Sequence, residues 1–411
     1  MISNNPEIEK VILFAVDLDD GQCVEDNLDE LEELVKTAGA IVAGRLIQKK
    51  ERIDNATYLG SGKVMELQML VAEYEATGIV CDDELSPMQL TNLGQAIDAK
   101  VLDRTMIILD IFAGRANTRE GKIQVELAQL RYRSSRLIGM RSSMSRLGGG
   151  IGTRGPGEKK LEIDRRVIRD RISQLSHELD DVKQHRDVMR KQRMQGNIPI
   201  VSIVGYTNAG KSTLLNHLTD AGVLEEDKLF ATLDPTSRNY KLSNGQEIII
   251  TDTVGFIKKL PHHLINAFRS TLEEAKYADI ILHVVDISNP HADEQMIVVY
   301  DTLRSLGVTD KPIVTAFNKI DKLADVPVIK DLSADCVVQI SAKHEIGFTD
   351  LSEALADIIN KGQTYIERVI PYSEANLLNR IHKFGTLLEE EYRDNGIFVR
   401  AYVDASIGID N

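Results

Sequence analysis

Apolar residues in the first quarter of the chain alternate between strand-length runs and the spacing of amphipathic helices. The predicted strands are Val11–Val16, Ile41–Ile47 and Gly78–Cys81, and the predicted helices are Asn27–Thr37, Gly62–Glu75 and Pro87–Asp98. Such alternation is typical of an α/β domain with a partly parallel sheet. We place this domain at residues 1–115.

From residue 116 apolar positions recur at alternating spacings of four and three. One such seam contains Ile123, Leu127, Leu130, Ser134 and Leu137, and a second contains Ile168, Ile172, Leu175, Leu179 and Val182. The segment between them, Leu147-Gly-Gly-Gly-Ile-Gly-Thr-Arg-Gly-Pro-Gly-Glu158, has six glycines and a proline and is not expected to be helical. Two narrow seams joined by a flexible tip predict an antiparallel coiled-coil hairpin over residues 116–196. The alternative is two ordinary helices packed on a globular core.

After a linker at Gly196-Asn-Ile-Pro199, strands and helices alternate again. The pattern predicts a second α/β domain at residues 197–362 and a small βα module at residues 363–411. In that module we expect a helix over Glu374–Asn395 and a last strand at Ile397–Val403. The longest apolar runs are too short to span a bilayer, which leaves only peripheral membrane association open.

The predicted strand Ile200–Val204 leads into a glycine-rich segment with the spacing of a phosphate-binding loop. Gly205-Tyr-Thr-Asn-Ala-Gly-Lys-Ser212 fits the pattern G-x-x-x-x-G-K-[ST] between a strand and a helix. Backbone amides of such a loop and the helix N-terminus attract phosphate oxygens. We expect Lys211 to stabilise charge on the β- and γ-phosphates during catalysis, and the Ser212 hydroxyl to bind Mg²⁺. The predicted contacts are Gly205, Tyr206, Thr207, Asn208, Ala209, Gly210, Lys211, Ser212 and Thr213.

Three further motifs follow predicted strands, at the edge where open α/β sheets bind ligands. They are Asp252-Thr-Val-Gly255, Asn318-Lys-Ile-Asp321 and Ser341-Ala-Lys343. A carboxylate at Asp321 accepts the N1 and N2 hydrogens of guanine, a donor pair that adenine lacks, so this motif predicts GTP as the substrate. The predicted contacts are Asp252, Thr253, Val254, Gly255, Asn318, Lys319, Asp321, Ser341, Ala342 and Lys343.

A switch threonine that completes the Mg²⁺ shell is expected between the first two motifs. The segment Phe230-Ala-Thr-Leu-Asp-Pro-Thr236 offers two candidates. Thr232 follows Ser212 by 20 residues, a usual loop length, and we prefer it; Thr236 is the alternative. The predicted contacts in this segment are Phe230, Ala231, Thr232, Leu233 and Asp234.

Phe256 follows the Asp-x-x-Gly motif, where Ras-like enzymes carry the glutamine that orients the attacking water. A phenyl ring cannot position water by hydrogen bonding. We therefore expect slow hydrolysis by the isolated protein and dependence on another group, whose identity the sequence does not give. A packing role for Phe256 is compatible with this.

The formal net charge of −14 conceals an uneven distribution of charge. Residues 131–195 contain 17 Lys and Arg against 8 Asp and Glu, which is +9, whereas the remaining 32 basic and 55 acidic residues give −23. An acidic body repels polyanions, but a basic arm attracts them. The arm therefore predicts a nucleic-acid partner.

Taken together, these motifs resemble the HflX family of translational GTPases. The resemblance runs from about residue 10 to 360 and includes Leu59-Gly-Ser-Gly-Lys63, the glycine-rich tip and the Phe-Ala-Thr-Leu-Asp-Pro-Thr segment. It implies a GTPase that binds the large ribosomal subunit and its rRNA, and that splits stalled or idle ribosomes under stress. It also implies that the hairpin tip is directed at the peptidyl transferase centre and that the ribosome stimulates hydrolysis.

Other interpretations stay open. An RNA-modification or ribosome-maturation GTPase, or a protein-binding switch without an RNA partner, shares the same nucleotide motifs. Gly60-Ser-Gly-Lys63 is interpreted as a helix start, with a second nucleotide site as the alternative. Three isolated cysteines and the lack of a signal-peptide pattern indicate the cytoplasm, and we expect a monomer.

Overall fold

The structure is a computed structural model, and it describes residues 8–19, 21, 23–144, 156–194, 198–219, 229–230, 233–260, 274–324, 330–361 and 363–404. The chain forms two compact units. The N-terminal unit contains residues 1–185, 227–234 and 259–269, and the C-terminal unit contains residues 186–226, 235–258 and 270–411. Two short segments from the second half of the chain therefore belong to the N-terminal unit.

The N-terminal unit contains a four-stranded sheet in which every pairing is parallel. The strands follow the order β2-β1-β3-β4 and are β1 (Lys10–Asp17), β2 (Ile41–Lys49), β3 (Gly78–Cys81) and β4 (Lys100–Asp103). The helices are α1 (Val24–Thr37), α2 (Ser61–Glu73), α3 (Pro87–Ala96) and α4 (Arg104–Arg115). The predicted α/β domain is confirmed, and α2 begins inside the Gly60-Ser-Gly-Lys63 segment as expected. Sequence reasoning missed β4 because it has only four residues, two of them charged.

Two long helices, α5 (Arg119–Met144) and α6 (Pro156–Met194), form the predicted hairpin. Arg171 on α6 donates to Glu126 on α5, and Arg119 lies 4.0 Å from Glu178, so the helices run in opposite directions. The apolar residues of the two predicted seams pack together, with the most buried being Ile123, Leu127, Leu175 and Leu179.

The tip of the hairpin lies outside the described residues, apart from its last part. Pro156, Gly157 and Glu158, which we did not expect to be helical, form the first turn of α6. A proline is accommodated there because the first N–H groups of a helix have no intrahelical partner. No helix of the described ranges is both long and apolar enough to cross a membrane.

The C-terminal unit contains a six-stranded sheet in the order β10-β9-β8-β5-β7-β6, in which only β6 is antiparallel to its neighbour. The strands are β5 (Ile200–Gly205), β6 (Thr236–Lys241), β7 (Glu247–Asp252), β8 (Ile280–Asp286), β9 (Ile313–Asn318) and β10 (Cys336–Gln339). The helices are α7 (Lys211–Thr219), α8 (Glu274–Tyr277), α9 (Ala292–Ser305) and α10 (Phe348–Ile359), with a 3₁₀ turn at Ile320–Lys322. The four nucleotide motifs therefore meet at one edge of this sheet.

The C-terminal module differs from the prediction. It is a three-stranded antiparallel sheet in the order β11-β13-β12, formed by β11 (Gln363–Ile370), β12 (Thr386–Arg393) and β13 (Gly396–Asp404). The helix expected to continue to Asn395 is only α11 (Ala375–Phe384), after a 3₁₀ turn at Tyr372–Glu374. The missed signal is Asp394-Asn395-Gly396: Arg393 pairs with Gly396, and Asp394-Asn395 forms the two-residue hairpin turn, for which Asp and Asn are favoured.

Asp103, at the end of β4, joins the sheet of the N-terminal unit to the hairpin. Its buried carboxylate accepts hydrogen bonds from the Arg136 guanidinium and the Tyr132 hydroxyl of α5, each at 2.6 Å. It also accepts from the backbone amides of Leu85 and Met106. A buried carboxylate with this many donors holds α5 firmly against β4.

We expect Asp103→Ala to lower the free energy of unfolding by about 3–5 kcal/mol, because it leaves the half-buried Arg136 without its carboxylate. Urea denaturation followed by circular dichroism measures the loss. Asp110→Ala removes an exposed aspartate from α4 and should stay within about 0.5 kcal/mol of the unchanged protein. Equal, small losses in both variants would show that Asp103 does not hold the hairpin.

Candidate functional site

The predicted phosphate loop lies between β5 and α7, as its sequence pattern requires. Gly205 and Gly210 have φ angles of 156° and 95°. A Cβ at Gly205 would lie 2.3 Å from the carbonyl oxygen of Val284, and one at Gly210 would lie 2.3 Å from Nδ2 of Asn318. Both positions therefore need glycine, and the loop backbone packs closely against its neighbours.

Lys211 is buried at the start of α7, with only 6% of its surface exposed. Its ammonium group donates to the Tyr206 carbonyl at 2.7 Å. Burial lowers the pKa of Lys211 to about 8, and the nearby Asp252 carboxylate opposes this only in part. A Cβ at Gly255 would lie 2.9 Å from the Lys211 ammonium, so the Asp-x-x-Gly motif reaches the phosphate loop.

Ser212 and Asp252 meet beside the phosphate loop. The Ser212 hydroxyl donates to the fully buried Asp252 carboxylate at 2.7 Å. These are hard oxygen ligands of the kind that Mg²⁺ prefers. The described residues contain no cluster of three or more His, Cys, Asp or Glu side chains that would hold a metal by itself. The donor set fits an ion that is bound jointly with substrate phosphates, as Mg²⁺ commonly is.

The Asn318 side chain connects three motifs. Its Nδ2 donates to the Ala209 carbonyl of the phosphate loop at 2.8 Å, and its Oδ1 accepts from the Ala342 amide of the Ser-Ala-Lys motif at 2.8 Å. Asn318 is 2% exposed. One buried carboxamide therefore sets the spacing between the phosphate loop and the segment expected to contact the base.

Lys319 has a left-handed backbone conformation, with φ of 67°. Its ammonium group donates to the Asn208 carbonyl at 2.8 Å and pairs with Asp286 at 2.7 Å. Sequence reasoning missed Asp286, although its place at the carboxyl end of β8 would have indicated it. Lys319 thereby holds the phosphate loop from the Asn-Lys-x-Asp motif, which is expected to contact the guanine base.

Asp321, the predicted guanine-specificity residue, lies beside the Ser-Ala-Lys motif. The Ser341 hydroxyl donates to its carboxylate at 2.5 Å, and Nε2 of His344 lies 3.8 Å away. The hydrogen bond from Ser341 lowers the pKa of the Asp321 carboxyl, so this group is an anionic acceptor at neutral pH. The Lys343 side chain is exposed.

The expected switch segment, residues 230–236, is described at Phe230 and from Leu233 to Thr236. Leu229, Phe230 and Leu233 are buried, and the Asp234 carboxylate bonds to residues that precede α5. Ala231 and Thr232, the preferred Mg²⁺ ligand, lie outside the described residues. The alternative, Thr236, begins β6 and pairs in register with Asp252.

Phe256 packs against the phosphate loop. Its side chain is 2% exposed, its amide donates to the Gly205 carbonyl, and its carbonyl accepts from the Thr207 amide at 2.8 Å. Nearby, the Thr253 hydroxyl donates to the Ile203 carbonyl and Val254 is buried, so both side chains face the core. The Tyr206 hydroxyl, a contact that the sequence did not reveal, accepts from the Lys258 amide at 2.8 Å.

Three family models match the chain. They are described as GTP-binding GTPase N-terminal (residues 25–113), GTP-binding GTPase Middle Region (residues 115–193) and 50S ribosome-binding GTPase (residues 200–319). The chain is 63% identical to GTPase HflX of Lacrimispora saccharolytica, covering 97% of this chain and 94% of that protein. It is 38% identical to GTPase HflX of Escherichia coli K12, covering 94% and 92%.

Among solved structures, the chain is similar to a GTP-binding protein from Sulfolobus solfataricus in complex with GDP. The identity is 24%, the TM-score is 0.45, and the match covers 85% of this chain and 98% of that one.

We expect Asp321→Asn to weaken GTP binding at least about tenfold and to favour xanthosine triphosphate. The reason is that an amide nitrogen would then face the N1 hydrogen of guanine, and a hydrogen bond to a charged group contributes about 1.5–3 kcal/mol. Competition against a fluorescent GTP analogue measures both affinities. Asp350→Asn, an exposed residue of α10, is the matched control. A GTP affinity within threefold of the unchanged protein would rule out this placement of the base.

Proposed function

The chain belongs to the HflX family of ribosome-binding GTPases, and from this premise we propose that it binds the large ribosomal subunit and separates the subunits of stalled or idle ribosomes. The proposed setting is the cytoplasm under stress. The observation that carries the proposal is the division of charge, +9 over residues 131–195 and −23 elsewhere. Structured RNA displays a dense phosphate surface, to which basic side chains contribute most of the affinity.

The hairpin has the side chains for such a contact. Arg131 and Arg133 on α5 and Arg166 and Arg169 on α6 are exposed. The apolar seam between the helices leaves these groups on the outside of the hairpin. This arrangement and the family resemblance support the proposal that the hairpin binds rRNA and that its tip reaches functional RNA.

In the proposed hydrolysis cycle, the phosphate loop binds the triphosphate through its backbone amides and Lys211. Mg²⁺ would be held by Ser212 together with Thr232 or Thr236, and it would supply positive charge that stabilises the phosphate oxygens. The buried Lys211 contributes charge that is weakly screened because water is excluded around it. Asn318 lies between the phosphate loop and the Ser-Ala-Lys motif. Across it from the phosphate loop, Asp321 and Ser341 would select guanine.

Stimulation by the ribosome is part of the proposal because no water-orienting side chain follows Gly255. The Phe256 ring is buried, and its backbone is bonded to the phosphate loop. The missing group must come from elsewhere, and the surface to which the GTPase binds is its natural source. We name no catalytic base.

We expect Lys211→Ala and Ser212→Ala each to abolish detectable GTP hydrolysis, because they remove phosphate charge stabilisation and Mg²⁺ ligation. Phosphate release should be measured with and without large subunits. The unchanged protein alone should be well below about 1 s⁻¹, the lower end for kinases, and large subunits should raise its rate. Full-rate turnover without any response to ribosomes would contradict the conclusion drawn from Phe256.

Replacing residues 148–155 with a Gly-Ser linker of equal length should sharply reduce ribosome splitting while nucleotide affinity stays unchanged. The replaced range ends before α6, so the helices and their seam are retained. Light scattering of 70S particles measures splitting, and a fluorescent nucleotide measures binding. Splitting at full rate with intact nucleotide binding would reduce the hairpin tip to an anchor or spacer.

Sucrose-gradient sedimentation with purified subunits and a non-hydrolysable GTP analogue tests the partner itself. We expect co-sedimentation with the large subunit that weakens steeply with salt, as phosphate-held complexes do. A variant with alanine at Arg131, Arg133, Arg166 and Arg169 should bind more weakly and show a shallower salt dependence. Absence of subunit binding, or binding that salt does not affect, would favour a protein-binding switch.

A further inference from the structure

Asp234 connects the expected switch segment to the start of α5. The Asp234 carboxylate accepts hydrogen bonds from the backbone amides of Asn117 and Thr118, each at 2.9 Å, and from the Thr118 hydroxyl. The Thr118 hydroxyl in turn accepts from the Gly121 amide at 3.0 Å. A carboxylate from a distant part of the sequence thus extends the N-terminal cap of the first hairpin helix, where negative charge is favoured.

The same segment has a second, apolar anchor. The Phe230 ring, which is 2% exposed, packs edge-to-face on Phe112 of α4 with the ring centroids 4.8 Å apart. Phe230 and Asp234 flank Thr232, so both ends of the segment that carries the preferred Mg²⁺ ligand are held by the α4–α5 junction. Along the chain, Pro235 then leads into β6.

The fit at this junction is close. A Cβ at Gly121 would lie 2.5 Å from Oδ1 of Asp234 and 3.1 Å from the Thr118 hydroxyl oxygen. Alanine is otherwise favoured over glycine inside a helix. Gly121 is therefore the position from which the contact can be disturbed without changing the switch segment.

We propose that Asp234 is a positioning residue that ties the chain entering β6 to the N-terminus of α5, so that the start of β6, where Thr236 pairs with Asp252, and the root of the hairpin move together. The proposal rests on the nucleotide site described above. It assigns the Asp234 carboxylate to α5 instead of to the nucleotide. We therefore expect a nucleotide bound beside Asp252 to affect the amides of Asn117 and Thr118.

Hydrogen–deuterium exchange of the full-length protein, read on peptides covering residues 116–121, tests the contact directly. Asp234→Ala should speed exchange of the Asn117 and Thr118 amides about tenfold, the loss expected when a capping side chain is removed. Asp234→Asn, which keeps one acceptor oxygen, should lie between, and Gly121→Ala should resemble Asp234→Ala. Asp110→Ala is the control. Exchange in Asp234→Ala equal to that of the unchanged protein overturns the proposal.

The positioning role needs a readout that a purely structural contact would not change. In the unchanged protein, exchange at these amides should differ between the GDP and GTP-analogue states, and Asp234→Ala and Gly121→Ala should remove that difference. Both variants should lower kcat for GTP several-fold while GDP affinity stays within threefold. Faster exchange with unaltered hydrolysis and unaltered nucleotide dependence would leave only a structural cap and refute the role.

These measurements need no ribosome, so failure of ribosome binding does not affect them. Exchange in the nucleotide-free protein also does not depend on the placement of the nucleotide site. If the unchanged protein fails to bind GTP, the proposed function is wrong while the contact itself is still measurable.

Discussion

The nucleotide site depends on one buried carboxamide. Asn318 ends β9 and donates to the Ala209 carbonyl while accepting from the Ala342 amide. A side chain that offers one donor and one acceptor in fixed directions can join two loops that share no backbone pairing. Removing either bond would leave a polar group buried without its partner, at a cost of about 1–3 kcal/mol. Asn318 therefore fixes the distance between the phosphate loop and the Ser-Ala-Lys motif in the ligand-free protein.

The electrostatics of the site favour an anion. Lys211 is buried, and the loss of hydration of its ammonium group lowers its pKa to about 8. The negative charge of Asp252 opposes this shift only in part. A triphosphate would place negative charge next to this ammonium group. Its binding would therefore offset the desolvation cost that the buried ammonium group already carries. Lys319 is different, because Asp286 and the Asn208 carbonyl already hold its ammonium group. We therefore expect Lys211 to interact with the ligand, whereas Lys319 supports the phosphate loop.

Sequence patterns predicted those parts of the molecule in which function and local structure both require residues at fixed intervals along the chain. The phosphate loop, the strand before Asn318 and the seams at Leu127 and Leu175 belong to this class. The patterns failed where secondary structure depends on pairing with another segment. A helix was expected to continue to Asn395, but residues of that range form β12, which pairs with β13. The Asp234 contact with Thr118 joins residues 116 positions apart and leaves no local signal. Asp286 was missed although its strand end was visible.

Buried or capping carboxylates hold α5 at two points along its length, so the helix can act as a lever. Asp234 holds the helix at Thr118, and Asp103 holds it at Tyr132 and Arg136. At 1.5 Å per residue the supports are about 21 Å apart, and about 18 Å of helix extends beyond Tyr132 to Met144. A sideways shift of the first support would turn the helix about the second. The free end would then move by a smaller distance in the opposite direction, so the hairpin reverses a small displacement without enlarging it.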